Sequence, residues 1–515
     1  MQCNAEQAAE VIEHVIPSSP SVGRASSLQE RLGLNERAFS SLVSGVSELL
    51  AYANSGGEGA DAVTMERDAV SFAFGAIRPL FEAHLQQALE TLDNHTKGEG
   101  DCFDCGGCAE SQGRRFRPWE SIVGSIRLGR RYRYCSVCDK GSHPSQAILG
   151  LPSGKFTARL EEVATMLSTT VAYPMAASIL ESLTGVVVSV KGLEQMIERR
   201  GSAVAQLLEL DAAGFAPYDE LGLPIQPRRR PGDAIEDRPQ RAYLEVDGVL
   251  PMVREPVPHN ELTPADKRRL TKAKKEKARG GKSRRWNISG REVKNAVLYR
   301  AEDCADLSPG RGSLLHKKYV SHLGTRTDFA DLLWVELARQ RFDQAKQLVV
   351  LSDGAAWIRN LCDWLPVPTF LILDLFHVKH RIWEVANALY GAGSTKAAAW
   401  AQTQCKRVEQ GKADKVIQAL RFEKGGNEVA REKLNELREY LNNNLDRMDY
   451  PKYRKRGLRV GSGAVESANY HVTGARMKLQ GMRWSEIGAT HMAYLRADLF
   501  NGNWERTTRD ILAVA

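Results

Sequence analysis

Two carboxylates stand where an ordinary buried strand would not tolerate them. In Arg241-Ala-Tyr-Leu-Glu-Val-Asp247-Gly-Val-Leu250, the residues Tyr243, Leu244, Val246 and Val249 read as a buried strand, and Asp247 stands near its end, before a glycine. A carboxylate there is costly unless it binds a cation or a strong donor. Gln347-Leu-Val-Val-Leu-Ser-Asp353-Gly354 repeats the theme, and Gly461-Ser-Gly-Ala-Val-Glu466-Ser-Ala-Asn-Tyr470 opens a helical pattern with a glutamate in its first turns. A single Asp-Gly pair is usually a plain turn. Two strand-end aspartates followed by a late helical glutamate form the set that holds two divalent cations, Mg²⁺ or Mn²⁺, for phosphodiester chemistry.

The elements between these acids give a fold class. Residues 292–300 and 316–323 read as strands that pair antiparallel with the Asp247 strand. A helix over 328–340, a strand over 348–352, a helix from Trp357 and a strand over 369–374 follow. This is the order of an RNase H-like mixed sheet within a multidomain α/β chain. Such a sheet brings carboxylates from distant sequence within the roughly 4 Å that separates two metals. The core is expected over 241–390, an all-α insertion over 391–455, and a C-terminal helical part carrying Glu466 over 456–515. Asp374-Leu-Phe-His377 ends the fifth strand and enters a helix, which puts Asp374 and His377 at the rim of the metal site. A lone histidine at a strand end is more often structural.

A basic segment, 259–285, interrupts the core; from Lys267 to Arg285 it holds eleven Lys or Arg and one acid, Glu276. Charge runs are usually solvated arms, but one close to a metal ligand is placed to grip a nucleic-acid backbone.

Upstream, Cys102-Phe-Asp-Cys105-Gly106 and Cys135-Ser-Val-Cys138 form two Cys-x-x-Cys pairs about thirty residues apart, the spacing of a structural Zn²⁺ site. Cys108 offers a competing two-residue spacing with Cys105, and the glycine after Cys105 favours Cys102 with Cys105. The alternating pattern from Ile122 to Tyr134 suits a zinc ribbon over 99–150, whose arginines (Arg114, Arg115, Arg117, Arg127, Arg130, Arg131, Arg133) suit phosphate or a solvated face. Within 151–215, a short helix from Tyr173 stops at Gly185, and Ser189 caps a second helix. This reads as a helix-turn-helix, although packed helix pairs are common. Residues 1–98 read as an arm followed by two or three helices, and 216–240 as a Pro-rich linker.

The net charge of +8 is unevenly spread and fits nucleic acid as a partner. No apolar run approaches the roughly 20 residues that span a bilayer, and the N-terminus lacks signal-peptide blocks. A cytoplasmic, nucleoid-associated protein with reduced cysteines is therefore expected.

The chain resembles bacterial insertion-sequence transposases of the DDE type, specifically the ISKra family, and more distantly Mutator-like transposases. The resemblance rests on the cysteine pairs, Glu245-Val-Asp247-Gly248, Ser352-Asp353-Gly354-Ala-Ala-Trp357, Asp374-Leu-Phe-His377, and Gly461-Ser-Gly-Ala-Val-Glu466-Ser467 through Met482-Arg-Trp484. It implies that Asp247, Asp353 and Glu466 are the metal-binding triad, with Asp247 bridging two ions, and that Asp374 and His377 match the family's Asp/Cys-x-x-His element. It implies Mg-dependent cleavage and strand transfer on double-stranded DNA (terminal inverted repeats and target) by a homo-oligomer. The basic segment is longer than the family's usual turn. The competing readings are an RNase H-like nuclease or resolvase without strand transfer, and a domesticated DNA-binding protein.

Neutralising Lys272, Lys274, Lys275 and Lys277 together is expected to flatten the salt dependence of DNA binding, by up to about 0.9 log unit for each phosphate the segment no longer neutralises. Titration of affinity against salt checks this, and an unchanged slope makes the segment a solvated arm.

Overall fold

The computed structural model describes residues 36–54, 61–95, 100–102, 104–214, 238–257, 263–265, 267–268, 286–308 and 311–514. The arm at 1–35, the break at 55–59, most of the 216–240 linker and most of the basic segment lie outside the described residues. The chain divides into two compact units, Met1–Met196 and Ile197–Ala515.

The first unit begins with two helices, α1 (Glu36–Asn54) and α2 (Ala62–His95). Four antiparallel strands follow in the order β1-β2-β3-β4: β1 (Gly100–Asp101), β2 (Cys108–Ser121), β3 (Gly124–Cys135) and β4 (Lys140–Ser142). The alternation read over 122–134 is therefore β3, and Trp119, Ile126 and Leu128 bury against Leu89 of α2. After α3 (Pro144–Ile148) come α4 (Ala158–Thr170), α5 (Tyr173–Thr184) and α6 (Val190–Gly214). Leu160, Leu180, Leu193 and Met196 share one core, and the Ser189 hydroxyl accepts the Gly192 N–H at 3.1 Å, the expected cap. The helix pair is present as read, but α6 is longer than a free recognition helix. From Ile197 onward it belongs to the second unit, where the Arg200 guanidinium lies 4.0 Å from the Trp504 ring and Asp211 pairs with Arg339.

The second unit is a mixed α/β structure around a five-stranded sheet. In chain order it holds β5 (Arg241–Val249), β6 (Met252–Pro256), β7 (Trp286–Gly290), β8 (Val293–Arg300), β9 (Cys304–Ser308), β10 (Arg311–Leu314) and β11 (Lys318–Leu323). Then come α7 (Arg326–Arg339), β12 (Gln347–Ser352), α8 (Ala356–Trp364), β13 (Thr369–Leu373) and α9 (Leu375–Tyr390). The sheet order is β11-β8-β5-β12-β13. Its first three strands pair antiparallel, and β12 runs parallel to both β5 and β13. These are the expected strands in the expected sequence. The hairpins β6–β7 and β9–β10 were not foreseen.

Strand alternation divides the core in two. Ala242, Leu244 and Val246 pack with Phe329 and Leu333 of α7 and Ile358 and Leu361 of α8. Tyr243, Val297 and Tyr299 face α9 through Val378, Ile382 and Val385. The latter core runs on into the expected all-α insertion, α10 (Thr395–Glu409), α11 (Ala413–Phe422), α12 (Glu428–Asn443) and α13 (Tyr450–Lys455). The chain closes with α14 (Gly463–Ala468), a π-helical turn at Asn469–Gly474, α15 (Ala475–Met477), α16 (Glu486–Phe500) and α17 (Trp504–Val514). No described helix is long and apolar enough to cross a membrane.

Gly354, which turns the chain after β12, sits at φ +90°, and a Cβ there would meet Leu373 Cδ1 at 2.6 Å. Gly354→Ala is expected to cost about 1–3 kcal/mol in chemical denaturation. Gly426→Ala, which has open space around it, is expected to stay within about 0.5 kcal/mol of the parent.

Candidate active site and metal centre

Four cysteines converge in the first unit. The Sγ atoms of Cys102, Cys105, Cys135 and Cys138 all lie within 4.8 Å of one another. Cys102 and Cys138 are 3.6 Å apart, as are Cys105 and Cys135. A disulfide requires about 2.05 Å, whereas a tetrahedron with Zn–S near 2.3 Å has edges of about 3.8 Å. The donor set and its spacing therefore fit zinc. The turn is built for it: Gly106 adopts φ 69°, its N–H donates to Cys102 O at 2.9 Å, and Gly107 N–H donates to Cys105 Sγ at 3.4 Å. Hydrogen bonds from the Asp104 and Cys105 amides lower the Cys102 thiol to about 7, toward the thiolate that a metal takes. Cys108 begins β2, is exposed and stands outside the group.

The acids gather in the second unit, and register explains how. Val246 is opposite Ser352, and Ser352 is opposite Leu373. Asp247, Asp353 and Asp374 thus follow at one level, at the C-terminal ends of three neighbouring parallel strands about 4.8 Å apart. Burial first, and the Asp353 charge after it, push the Asp247 carboxyl above its ordinary range, opposed by the Gly248 amide, by His377 and by Asn469. A cation removes both costs.

Glu466 arrives from α14. Its Oε1 lies 3.5 Å from His377 Nε2, and Asp374, His377 and Glu466 have ligand atoms mutually within 4.8 Å. Asp247 and Asp353 stand outside that tight group, although Asp247 feels both Asp353 and His377. Within it, the Asp374 carboxylate is fully buried and already occupied. Its Oδ1 accepts the Phe376 and His377 N–H groups at 2.5 and 2.9 Å, capping α9. Its Oδ2 accepts the amide and hydroxyl of Ser462. Asp374 thereby ties the segment leading to Glu466 onto the end of β13.

Further residues hold the acids, and of these the sequence marked only Asn469 and Thr473, at helical spacing after Glu466. Glu245, 1% exposed, accepts the Tyr299 hydroxyl at 2.6 Å and the Val465 N–H at 2.9 Å. Burial pushes it up to about 7 against those donors. Its signal was an acid two residues before Asp247, on the same face of the strand. Asn469 donates to Asp247 Oδ2 at 2.6 Å and accepts from Asn295 at 2.7 Å; Ser321 donates to Asn295 at 2.7 Å. Asn295 is the register partner of both Asp247 and Ser321, so one polar row crosses the sheet. The π-helical turn places Thr473 on Asn295 as well, at 3.0 Å, and Arg496 donates to the Val472 carbonyl at 2.5 Å. Two tyrosines of the insertion grip strand ends. Tyr440 donates to Asp353 O at 2.7 Å, and Tyr450 to Leu373 O at 3.1 Å.

One Zn²⁺ per chain is expected in the intact protein. Cys135→Ser should lose it and leave the N-terminal unit open to proteolysis, whereas Cys108→Ser should retain both metal and resistance. Metal analysis with limited proteolysis checks this. A metal-free preparation with a resistant N-terminal unit would contradict it.

No curated protein matches the chain. Residues 314–510, from the end of β10 into α17, match the model of an uncharacterised protein family, UPF0236. That stretch carries Asp353, Asp374, His377 and Glu466, while Asp247 and the four cysteines precede it.

Proposed function

We propose that the chain is a DDE transposase of the ISKra kind, which binds the ends of its insertion sequence and performs Mg-dependent DNA cleavage and strand transfer. The observation that carries this reading is the row of strand-end aspartates with the segment leading to Glu466 hydrogen-bonded beside it from the far end of the chain. A sheet of order 3-2-1-4-5, antiparallel then parallel, fits an RNase H-like core and supports the reading. So does the matched family, which is widely found in transposase-like insertion-sequence proteins.

In this reading Asp247, Asp353 and Glu466 hold Mg²⁺ (or Mn²⁺), and Asp374 serves as the strut that orients the Glu466 segment. Bound there, the metal supplies Lewis-acid charge at the scissile phosphate. The chain's own residues do the rest. Asn469 fixes the rotamer of Asp247 by its 2.6 Å bond, Glu245 and Asp374 fix the entry to α14, and His377 Nε2 stands 3.5 Å from Glu466 Oε1. The ribbon's arginines and the α5–α6 pair are the surfaces for double-stranded DNA, on which a homo-oligomer assembles, and nucleoid association follows from that binding.

The test is to incubate the protein with its flanking genomic DNA and Mg²⁺ and to map cleaved and joined ends. Asp247→Asn, Asp353→Asn and Glu466→Gln should each retain DNA binding while cleavage and joining fall to background. Cleavage without joining would make it a nuclease or resolvase, and binding without either a DNA-binding protein. Strand transfer retained in Asp247→Asn would refute the triad.

A further inference from the structure

Five residues after Asp247 the chain leaves the sheet as β6 and later returns as β7. Met252 pairs with Gly290, Arg254 with Ile288 and Pro256 with Trp286. Alternation then puts Met252, Arg254, Ile288 and Trp286 on one face, and Val253 and Glu255 on the other. The second face is built in along β6, while Asn287 and Ser289 of β7 are exposed on it. Val253 is fully buried, and Glu255 takes Arg291. Along its other edge, β6 pairs with Trp484, whose N–H donates to Met252 O at 3.0 Å and whose carbonyl accepts Arg254 N–H at 2.8 Å.

The first face is open, and it is the apolar one. Met252 is 44% exposed, Ile288 38% and Trp286 36%, with Leu250 beside them at 55%. A solvent-facing hairpin ordinarily presents the reverse pattern, and contiguous exposed apolar surface marks an interaction site. Arg254 lies 5.1 Å from the Trp286 ring, and none of the paired residues of β6 and β7 on this face is an acid.

Charge selects the occupant. The chain joining the two strands holds eleven Lys or Arg and one acid between Lys267 and Arg285. Its ends are fixed at Pro256 and Trp286, on this hairpin. A second copy would bring the same positive charge and be repelled, whereas a polyanion is drawn in. A tryptophan flanked by an arginine gives a base a π-face to stack on, whatever its sequence.

We propose that the open face of the β6–β7 hairpin is a stacking platform for unpaired nucleic-acid bases, with Trp286 as the stacking ring and Arg254 beside it. The site deepens the transposase reading and rests on it. The hairpin starts within about 17 Å of chain from Asp247, and Trp484, which extends it, donates its indole N–H to Met477 O at 3.1 Å, at the end of the helical run that begins beside Glu466. Trp286 pairs with Pro256, at the end of the hairpin away from Asp247, so bases freed at a DNA end would be held on the strand pair that leads out of the acid-bearing strand.

The experiment measures equilibrium binding of the full chain to three labelled DNAs of one sequence: a blunt duplex, the duplex with a short thymidine tail, and the duplex with an abasic tail of equal length. The expected result is tightest binding to the thymidine tail. Trp286→Ala should lose that preference by about 5- to 150-fold per stacked base, Trp286→Phe should keep most of it, and the affinity for the blunt duplex and the thermal melt should be unchanged. Equal affinity for thymidine and abasic tails, or a preference that survives Trp286→Ala, overturns the platform while duplex binding leaves the transposase reading standing. Binding to none of the three DNAs removes both. A dimer in sedimentation that Trp286→Ala dissociates assigns the face to a second copy and overturns the proposal.

Discussion

Parallel pairing of β5, β12 and β13 in a single register is the constraint on which the rest of the second unit depends. It sets three aspartates side by side at one end of the sheet, where burial and the neighbouring Asp353 charge raise the Asp247 carboxyl above its ordinary range. The sheet can impose this because its opposing faces are filled by two separate apolar cores. The stability of the framework comes from those cores, and the acids are carried at its end as a local cost.

That cost dictates the polar network around them. A half-satisfied polar group in a low-dielectric interior is more damaging than an apolar one, and the carboxylates of Glu245 and Asp374 are each given donors from two separate segments. In both cases one of the donors is a backbone amide just before Glu466. The same bonds that make buried charge tolerable therefore set the position of the helix carrying the exposed acid. The π-helical turn belongs to this arrangement, because it turns Asn469 and Thr473 together onto Asn295. Such turns are uncommon and recur at functional sites.

Much of this was legible in the sequence because the relevant signals are local. Apolar runs ending in Asp-Gly marked the strand ends, the strand and helix order gave the sheet, and the paired cysteine spacing gave the thiol cluster together with its glycine turn. What could not be read depends on contacts across long stretches of chain. Glu245 looked like an acid in a strand until Val465 was brought to it, and nothing in the insertion's sequence marked Tyr440, whose hydroxyl meets the Asp353 carbonyl. The β6–β7 hairpin was hidden because its strands are short and separated by the basic segment, so neither carried a turn signal. The α6 helix showed its start in Ser189 but not its reach to Gly214, which is fixed by packing around Arg200 and Asp211.

The grip of the α-helical insertion on the strand ends has a consequence for mutation at Asp353. Tyr440 and Tyr450 hold peptide carbonyls, which every residue possesses, and take nothing from the side chain at the position they secure. Loss of the Asp353 carboxylate therefore leaves both of these bonds in place, and removes the one that its Oδ1 accepts from the Ala355 N–H at 2.9 Å. At this position the carboxylate can be lost while the grip on the strand ends remains.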